Sequence, residues 1–149
     1  MPVVESVGDR AFYYCVCLRA VALDARDVGD SAFCECAQLR VVALPHVSVA
    51  SKYIFNNCTR LESVSMPVAT RVCEDAFNMC ESLTAVSLPV VESVEVGAFQ
   101  GCLNLETGSL PRREAVEYYA FDGCPRLSKT KFFAPDHVKN TLPVYLWVS

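Results

Sequence analysis

The sequence predicts a solenoid of the α/β class. Six stacked coils share one parallel β-sheet, and their return segments are irregular, short-helical or extended. Three observations carry this reading. Ala-Phe recurs at Ala11–Phe12, Ala32–Phe33, Ala76–Phe77, Ala98–Phe99 and Ala120–Phe121, with Ile54–Phe55 in the remaining slot, in one step of 21 residues and four of 22. A cysteine follows each phenylalanine by three residues (Cys15, Cys36, Cys58, Cys80, Cys102, Cys124), and a leucine follows each cysteine by three. The string PVVESV occurs twice, at Pro2–Val7 and Pro89–Val94, in the same phase of the repeat. A period of about 22 held over most of a chain marks a stack of units, each too small to bury its own apolar face.

Each part of the unit has a physical reason. After the leucine comes a pair of apolar residues two apart: Val21/Leu23, Val42/Leu44, Val64/Met66 and Val86/Leu88, weakening to Gly108/Leu110 and Thr130/Phe132. This alternation, rich in β-branched residues, predicts one short strand per coil with its neighbours in parallel. Pro45, Pro67, Pro89 and Pro111 then end the strand, because proline cannot donate to a ladder. The arc from Val72 to Cys80 is the return, with Phe77 filling the coil and Ala76 lying where another backbone passes close. The six periodic cysteines read as a buried ladder of reduced, weakly hydrogen-bonding thiols. Rungs about 4.8 Å apart carry side chains that run parallel without facing each other, which disfavours disulfides.

The segment Leu61–Leu83, LESVSMPVATRVCEDAFNMCESL, resembles the BspA-type leucine-rich repeat, and the resemblance runs from about Pro2 to Phe132. It implies a curved solenoid with the parallel sheet on its concave face. It also implies a role in adhesion or protein contact, since many such proteins are surface or secreted. Ile54 in place of alanine and the weakened last unit depart from the pattern.

Composition excludes several classes. The chain has 149 residues, 52% hydrophobic and 20% charged, with a net charge of −4. That is a globular composition without the basic footprint of a nucleic-acid binder. No apolar run has the ~18 residues of a membrane span. The opening MPVVESVGDRAF lacks a basic segment followed by an apolar one, so the expected location is cytoplasmic. No catalytic constellation is visible: His46 and His137 fall in different units, neither beside a nucleophile and an acid. The CVC and CEC pairs (Cys15, Cys17, Cys34, Cys36) have the composition of a four-thiolate zinc site. Cys15 and Cys36 belong to the inward ladder, however, so the four should not converge, and no metal or cofactor is expected. The sequon Asn57–Cys58–Thr59 straddles a core cysteine.

Function is therefore expected on the outer surface, as a non-catalytic module for a protein partner. The outward strand residues are Ala20/Ala22, Val41/Ala43, Ser63/Ser65, Ala85/Ser87, Thr107/Ser109 and Lys129/Lys131. The first five pairs make a smooth, uncharged strip roughly 20 Å long at strand spacing. Its candidate interaction residues are Ser63, Ser65, Ala85, Ser87, Thr107, Ser109, Lys129 and Lys131. Small residues would equally relieve crowding on an inwardly curved sheet. Acids predominate from Val72 to Pro111 and bases appear from Arg112 to Lys139, a polarity suited to steering a partner, although Glu114, Glu117, Asp122 and Asp136 interleave with the bases and a solvated face fits equally. Of each tyrosine pair, Tyr13–Tyr14 and Tyr118–Tyr119, at most one member is expected to point inward, so the pairs add aromatic surface at either end of the stack.

The chain starts in mid-repeat, and self-association through an uncapped N-terminal end is the alternative role. Residues 1–134 form the predicted solenoid, and residues 135–149 an atypical cap in which Leu142, Val144, Tyr145, Leu146 and Trp147 cover the last coil. Deleting Leu142–Ser149 is expected to lower the melting temperature or the solubility sharply. An unchanged melting curve would remove the cap assignment.

Overall fold

Eleven short strands are the only regular secondary structure in residues 4–109 and 115–127, the residues that the computed structural model of the chain describes. Three-residue strands β2 (Ala20–Ala22), β4 (Val41–Ala43), β6 (Ser63–Ser65), β8 (Ala85–Ser87) and β10 (Thr107–Ser109) form one parallel sheet. Their register aligns Val21, Val42, Val64, Val86 and Gly108 across the sheet, the phase set by the repeat. Val21, Val42, Val64 and Val86 are buried between exposed or half-buried neighbours, so the inward and outward alternation holds.

The return arcs are also β. Two-residue strands β1 (Ser6–Val7) and β3 (Asp27–Val28) form one parallel pair, and β5 (Val49–Ala50), β7 (Arg71–Val72), β9 (Ser93–Val94) and β11 (Ala115–Val116) form a second parallel sheet. Val7, Val28, Ala50, Val72, Val94 and Val116 turn inward from these strands. The expected α/β class is therefore corrected. No described residue is helical, and the fold is an all-β solenoid with parallel sheets on the strand and return sides.

The hydrogen bonds explain why no helix forms. Along each arc, alternate N–H groups bond to the next coil: Tyr53 to the Glu74 carbonyl, Phe55 to Ala76 and Asn57 to Asn78. The N–H groups between them reach back three residues, Ile54 to Ser51, Asn56 to Tyr53 and Cys58 to Phe55. A helix needs every N–H to point to the carbonyl four residues back, and half of these are spent on the neighbouring coil.

Two residues per coil also adopt the left-handed conformation. One precedes the Ala or Ile of the motif (Arg10, Ser31, Tyr53, Asp75, Gly97, Tyr119), and the other precedes the ladder cysteine (Tyr14, Glu35, Asn57, Met79, Gly101, Gly123), with φ between 50° and 72°. Such a residue every fourth position ends any right-handed turn. The stacking contacts must outweigh the local cost, about 1–2 kcal/mol for each residue with a side chain.

Those contacts run the length of the stack. Phe12, Phe33, Phe55, Phe77, Phe99 and Phe121 form one column of stacked rings with centroids 5.0–5.6 Å apart. Each pair adds about 0.5–1.5 kcal/mol beyond the area it buries. Around the column, the inward residues of the strands, Leu39, Leu61, Leu83 and Leu105, and the ladder cysteines from Cys36 to Cys124 form a single core cluster.

The left-handed positions give a direct test. A Cβ on Gly101, at φ +72°, would lie 2.6 Å from the Met79 sulfur, in a conformation that side chains resist. Gly101→Ala is expected to lower urea-unfolding stability by about 1–2 kcal/mol. Met79→Gly, at the equivalent position one coil earlier with φ 58°, is expected to be neutral or slightly stabilising. A loss in the second variant as large as in the first would mean that backbone strain is not what distinguishes them.

Candidate functional site

The first sheet presents its outward side chains in straight columns. Register places Ser63 beside Ala85 and Thr107, and Ser65 beside Ser87 and Ser109. Ser63, Ser65, Ala85 and Ser87 are all exposed, as are Ala20, Ala22 and Val41, while Ala43 is half-buried. Six of the eight predicted interaction residues are thus brought onto one sheet. Lys129 and Lys131, and the cap predicted at 135–149, lie outside the described residues.

One flank of this strip is charged. Arg40 Nη1 lies 3.1 Å from Glu62 Oε1, Thr84 Oγ1 donates to the Glu62 carbonyl at 3.3 Å, and Arg126 pairs with Glu106 at 3.5 Å. These pairs are half exposed and each is worth about 0–1 kcal/mol. They border the strip without crossing it.

Part of the run of acids is paired across coils. Glu74 pairs with Lys52 at 3.1 Å and Glu95 with Arg71 at 3.9 Å, each across one coil boundary. In a solenoid the spatial neighbour is 22 residues away, so a charge block in sequence is divided among coils. Tyr13, Tyr14, Tyr118 and Tyr119 are all exposed, at 49%, 62%, 78% and 55%. Tyr14 and Tyr119 occupy left-handed turn positions.

The nine cysteines are free thiols. Five of the ladder residues do more than fill space. The Sγ of Cys36, Cys58, Cys80, Cys102 and Cys124 donates to the carbonyl of the preceding coil's phenylalanine (Phe12, Phe33, Phe55, Phe77 and Phe99) at 3.1–3.2 Å. The carbonyls of Phe33, Phe55, Phe77 and Phe99 also accept the N–H of the cysteine three residues on. The sequence marks these thiols as weak hydrogen-bonders without naming their acceptor. Its signal was the fixed Phe-to-Cys spacing. Burial pushes the Cys36 thiol up to about 11 and raises Cys58 and Cys80 well beyond that, so they stay protonated and able to donate.

Off the ladder, Cys17 is exposed, whereas Cys34 and Cys73 are buried. Burial also raises the pKa of Cys34 and Cys73. Among the described residues no three His, Cys, Asp or Glu side chains are grouped to hold a metal ion. Asn57 of the sequon adopts the left-handed conformation, and its amide donates to Glu35 at 2.8 Å. Among the described residues no helix is long and apolar enough to cross a membrane.

Short coils that each add one strand to a first parallel sheet and one to the return side, around a leucine ladder, define a leucine-rich repeat solenoid. The family profile described as a BspA type leucine rich repeat region matches residues 5–128 in six copies, and the chain belongs to that family. Its fold is similar to that of a leucine-rich repeat protein from Bacteroides ovatus ATCC 8483, at 26% identity and a TM-score of 0.78 over 83% of this chain and 33% of that one. A leucine-rich repeat protein from Eubacterium ventriosum ATCC 27560 is 25% identical, with a TM-score of 0.75 over 80% of this chain and 34% of that one. The leucine rich repeat protein of T. pallidum is 29% identical, with a TM-score of 0.64 over 95% and 76%. The chain thus spans about a third of the length of the first two. No curated protein matches it.

The thiols set two expectations. With Ellman's reagent, Cys17 should react first in the native protein, and Cys58, Cys80 and Cys102 only on unfolding. Because the buried thiols titrate above their ordinary value of 9.0, the folded state holds more protons than the unfolded state above that pH. Their contribution to stability is complete below about pH 9 and falls as pH rises through the folded values. The urea midpoint should therefore drop between pH 9 and 11. A flat profile would show that the thiols contribute nothing by ionisation.

Proposed function

We propose that this chain is a non-catalytic protein-interaction module that presents the exposed face of its first sheet to a protein partner. The contact centres on Ser63, Ser65, Ala85 and Ser87, extends to Thr107 and Ser109, and takes in Lys129 and Lys131. The observation that carries the reading is the in-register face of small residues, broken by no long side chain within the described rows and edged by charge. A face of this kind lets a partner's backbone or side chains approach closely, so the partner supplies the large anchoring groups on which binding energy concentrates. Leucine-rich repeat solenoids are protein-contact scaffolds in general, and their extended surfaces suit this use.

Affinity capture from the source organism, comparing the native chain with a Ser65→Arg/Ser87→Arg variant, tests the proposal. Both side chains are exposed, so the variant should keep its melting temperature. It should lose the captured partner roughly tenfold or more, as when a bulky charge is placed in a contact centre. Equal capture by both proteins would move the interface off this sheet. A light-scattering mass of a multimer, with no foreign partner captured, would favour self-assembly instead.

A further inference from the structure

The repeat is broken once among the described coils. Between Leu23 and Ala25 stands the single residue Asp24, where the following units carry two, such as Pro45–His46 between Leu44 and Val47 and Pro67–Val68 between Met66 and Ala69. The shortened turn changes the backbone bonds of the return side. At other boundaries two N–H groups flanking the short strand hold it to the coil before. Arg26 donates to the Glu5 carbonyl and Gly29 to Val7, Thr70 to Ser48 and Cys73 to Ala50, and Glu92 to Thr70 and Glu95 to Val72, at 2.7–3.0 Å. The matching bonds from Ser48 to Arg26 and from Ser51 to Val28 are missing, and β3 pairs with β1 but not with β5. Side-chain bonds stand in for them: the Ser51 hydroxyl donates to the Val28 carbonyl, and Asp30 Oδ1 accepts the Lys52 N–H at 3.2 Å. No other boundary among the described residues lacks both backbone bonds.

An open recess of about 700 Å³ lies at this boundary, with Arg26 and Asp27 in the wall of the second coil and His46 and Ser48 in that of the third. All four residues are exposed, so water reaches the unbonded backbone. Elsewhere the same boundary is intact. β4 pairs with β6 in full register, backed by the buried Val42 and Val64. Along the arc the Ser31, Phe33 and Glu35 N–H groups donate to the Lys52, Ile54 and Asn56 carbonyls at 2.9–3.0 Å. In the core Phe33 stacks on Phe55, and the Cys58 thiol reaches the Phe33 carbonyl. A boundary fastened along its sheet and arc, and unfastened between them, yields at the unfastened stretch.

We propose that the boundary between the second and third coils is the bending point of the solenoid. The first two coils tilt as one body on the β4–β6 pairing, and the stretch 24–29 moves away from 46–51 and back. Local openings fall where backbone bonds are few and solvated. Hinges, in turn, work through a few residues at the ends of elements. The Asp24 turn and the unpaired edges of β3 and β5 meet both conditions. Because the pivot lies in the first sheet, each tilt changes the angle between the Val41/Ala43 pair and the Ser63/Ser65 pair beside it. The hinge is a property of the fold and stands apart from the partner reading, so its failure leaves the sheet-face proposal standing.

Amide hydrogen exchange of the full chain, read residue by residue by NMR, tests it. Arg10, Ser31, Tyr53 and Asp75 share one phase of the repeat, and each N–H donates to the next coil at 2.9–3.1 Å. A rigid stack therefore protects them alike. Bending loads the Ser31 bond first, because it is the arc bond next to the open stretch. Ser31 should have a protection factor roughly tenfold below those of both Arg10 and Tyr53. At the pivot the Glu62 N–H, which donates to the Arg40 carbonyl, should stay within about threefold of Thr84, its counterpart one coil on. Inserting a proline between Leu23 and Asp24 restores the two-residue turn and should raise Ser31 to the Tyr53 level. Ser51→Ala removes the hydroxyl tie to Val28 and should lower Ser31 further; it decides even where the insertion does not fold. Equal protection at Ser31 and Tyr53 would overturn the proposal. So would a steady rise from Arg10 through Ser31 to Tyr53, the mark of fraying from the first coil. An equal loss at Ser31 and Glu62 would show coils parting rather than bending, and would overturn it too, as would a folded insertion or a Ser51→Ala variant that leaves Ser31 unchanged.

Discussion

One shared acceptor organises the stack. A phenylalanine carbonyl takes the N–H of the cysteine three residues on and, from the other side, the thiol of the next coil's cysteine. The phenylalanine N–H meanwhile donates to the next coil's alanine or isoleucine carbonyl, and its ring lies on the next ring. Backbone, thiol and aromatic contacts therefore demand the same offset between coils. A one-residue slip here would misplace all three, which is why the Phe-Cys-Leu spacing is constant while other parts of the unit vary. The thiol suits the position because it is small enough for a crowded core and is kept protonated by burial. It also spends a weak donor on a carbonyl that the backbone has already half satisfied.

The legible part of the fold was the part that this constraint repeats. Six coils, a parallel strand in each, the inward valines and the leucine and cysteine ladders all follow from counting. The return arc was harder to read, because its β character rests on two-residue strands too short for an alternating pattern. The turns had a readable trace: Gly97, Gly101, Gly123, Asn57 and Asp75 all occupy the two left-handed phases, and these are the residues that tolerate that conformation best. Tyr14, Tyr53, Tyr119 and Met79 share those phases and conceal the trace, since the stack imposes the conformation on residues that would not choose it. The strip of the candidate site was legible down to its register. Charge is harder to read from sequence, because Lys52 with Glu74 and Arg71 with Glu95 come together only once the chain has gone round a full coil.

Periodicity also limits what the core can say about function. Residues that repeat are explained by stacking, so specificity must come from positions where the repeat changes. On the first sheet that change is gradual, from Ala20, Ala22, Val41 and Ala43 to the hydroxyl-bearing Ser63, Ser65 and Ser87. The face grows more polar along the stack, which gives it a direction. On the return side the change is abrupt, a single residue lost at Asp24.

The cost of that loss is small because of where it falls. Across the same boundary between coils, β4 still pairs with β6, Phe33 still stacks on Phe55 at 5.6 Å, and the Cys58 thiol still reaches the Phe33 carbonyl at 3.1 Å. Stability in a solenoid is close to a sum of unit and neighbour terms. Forgoing one two-residue strand pairing removes a minor part of one such term and leaves the column of rings unbroken. A deletion inside the Phe-Cys-Leu stretch would instead have broken every contact at once. The fold thus has a rigid side, where the period is enforced, and a permissive side, where the single residue Asp24 stands between Leu23 and Ala25 in place of two and β3 pairs with β1 but not with β5, without dividing the core.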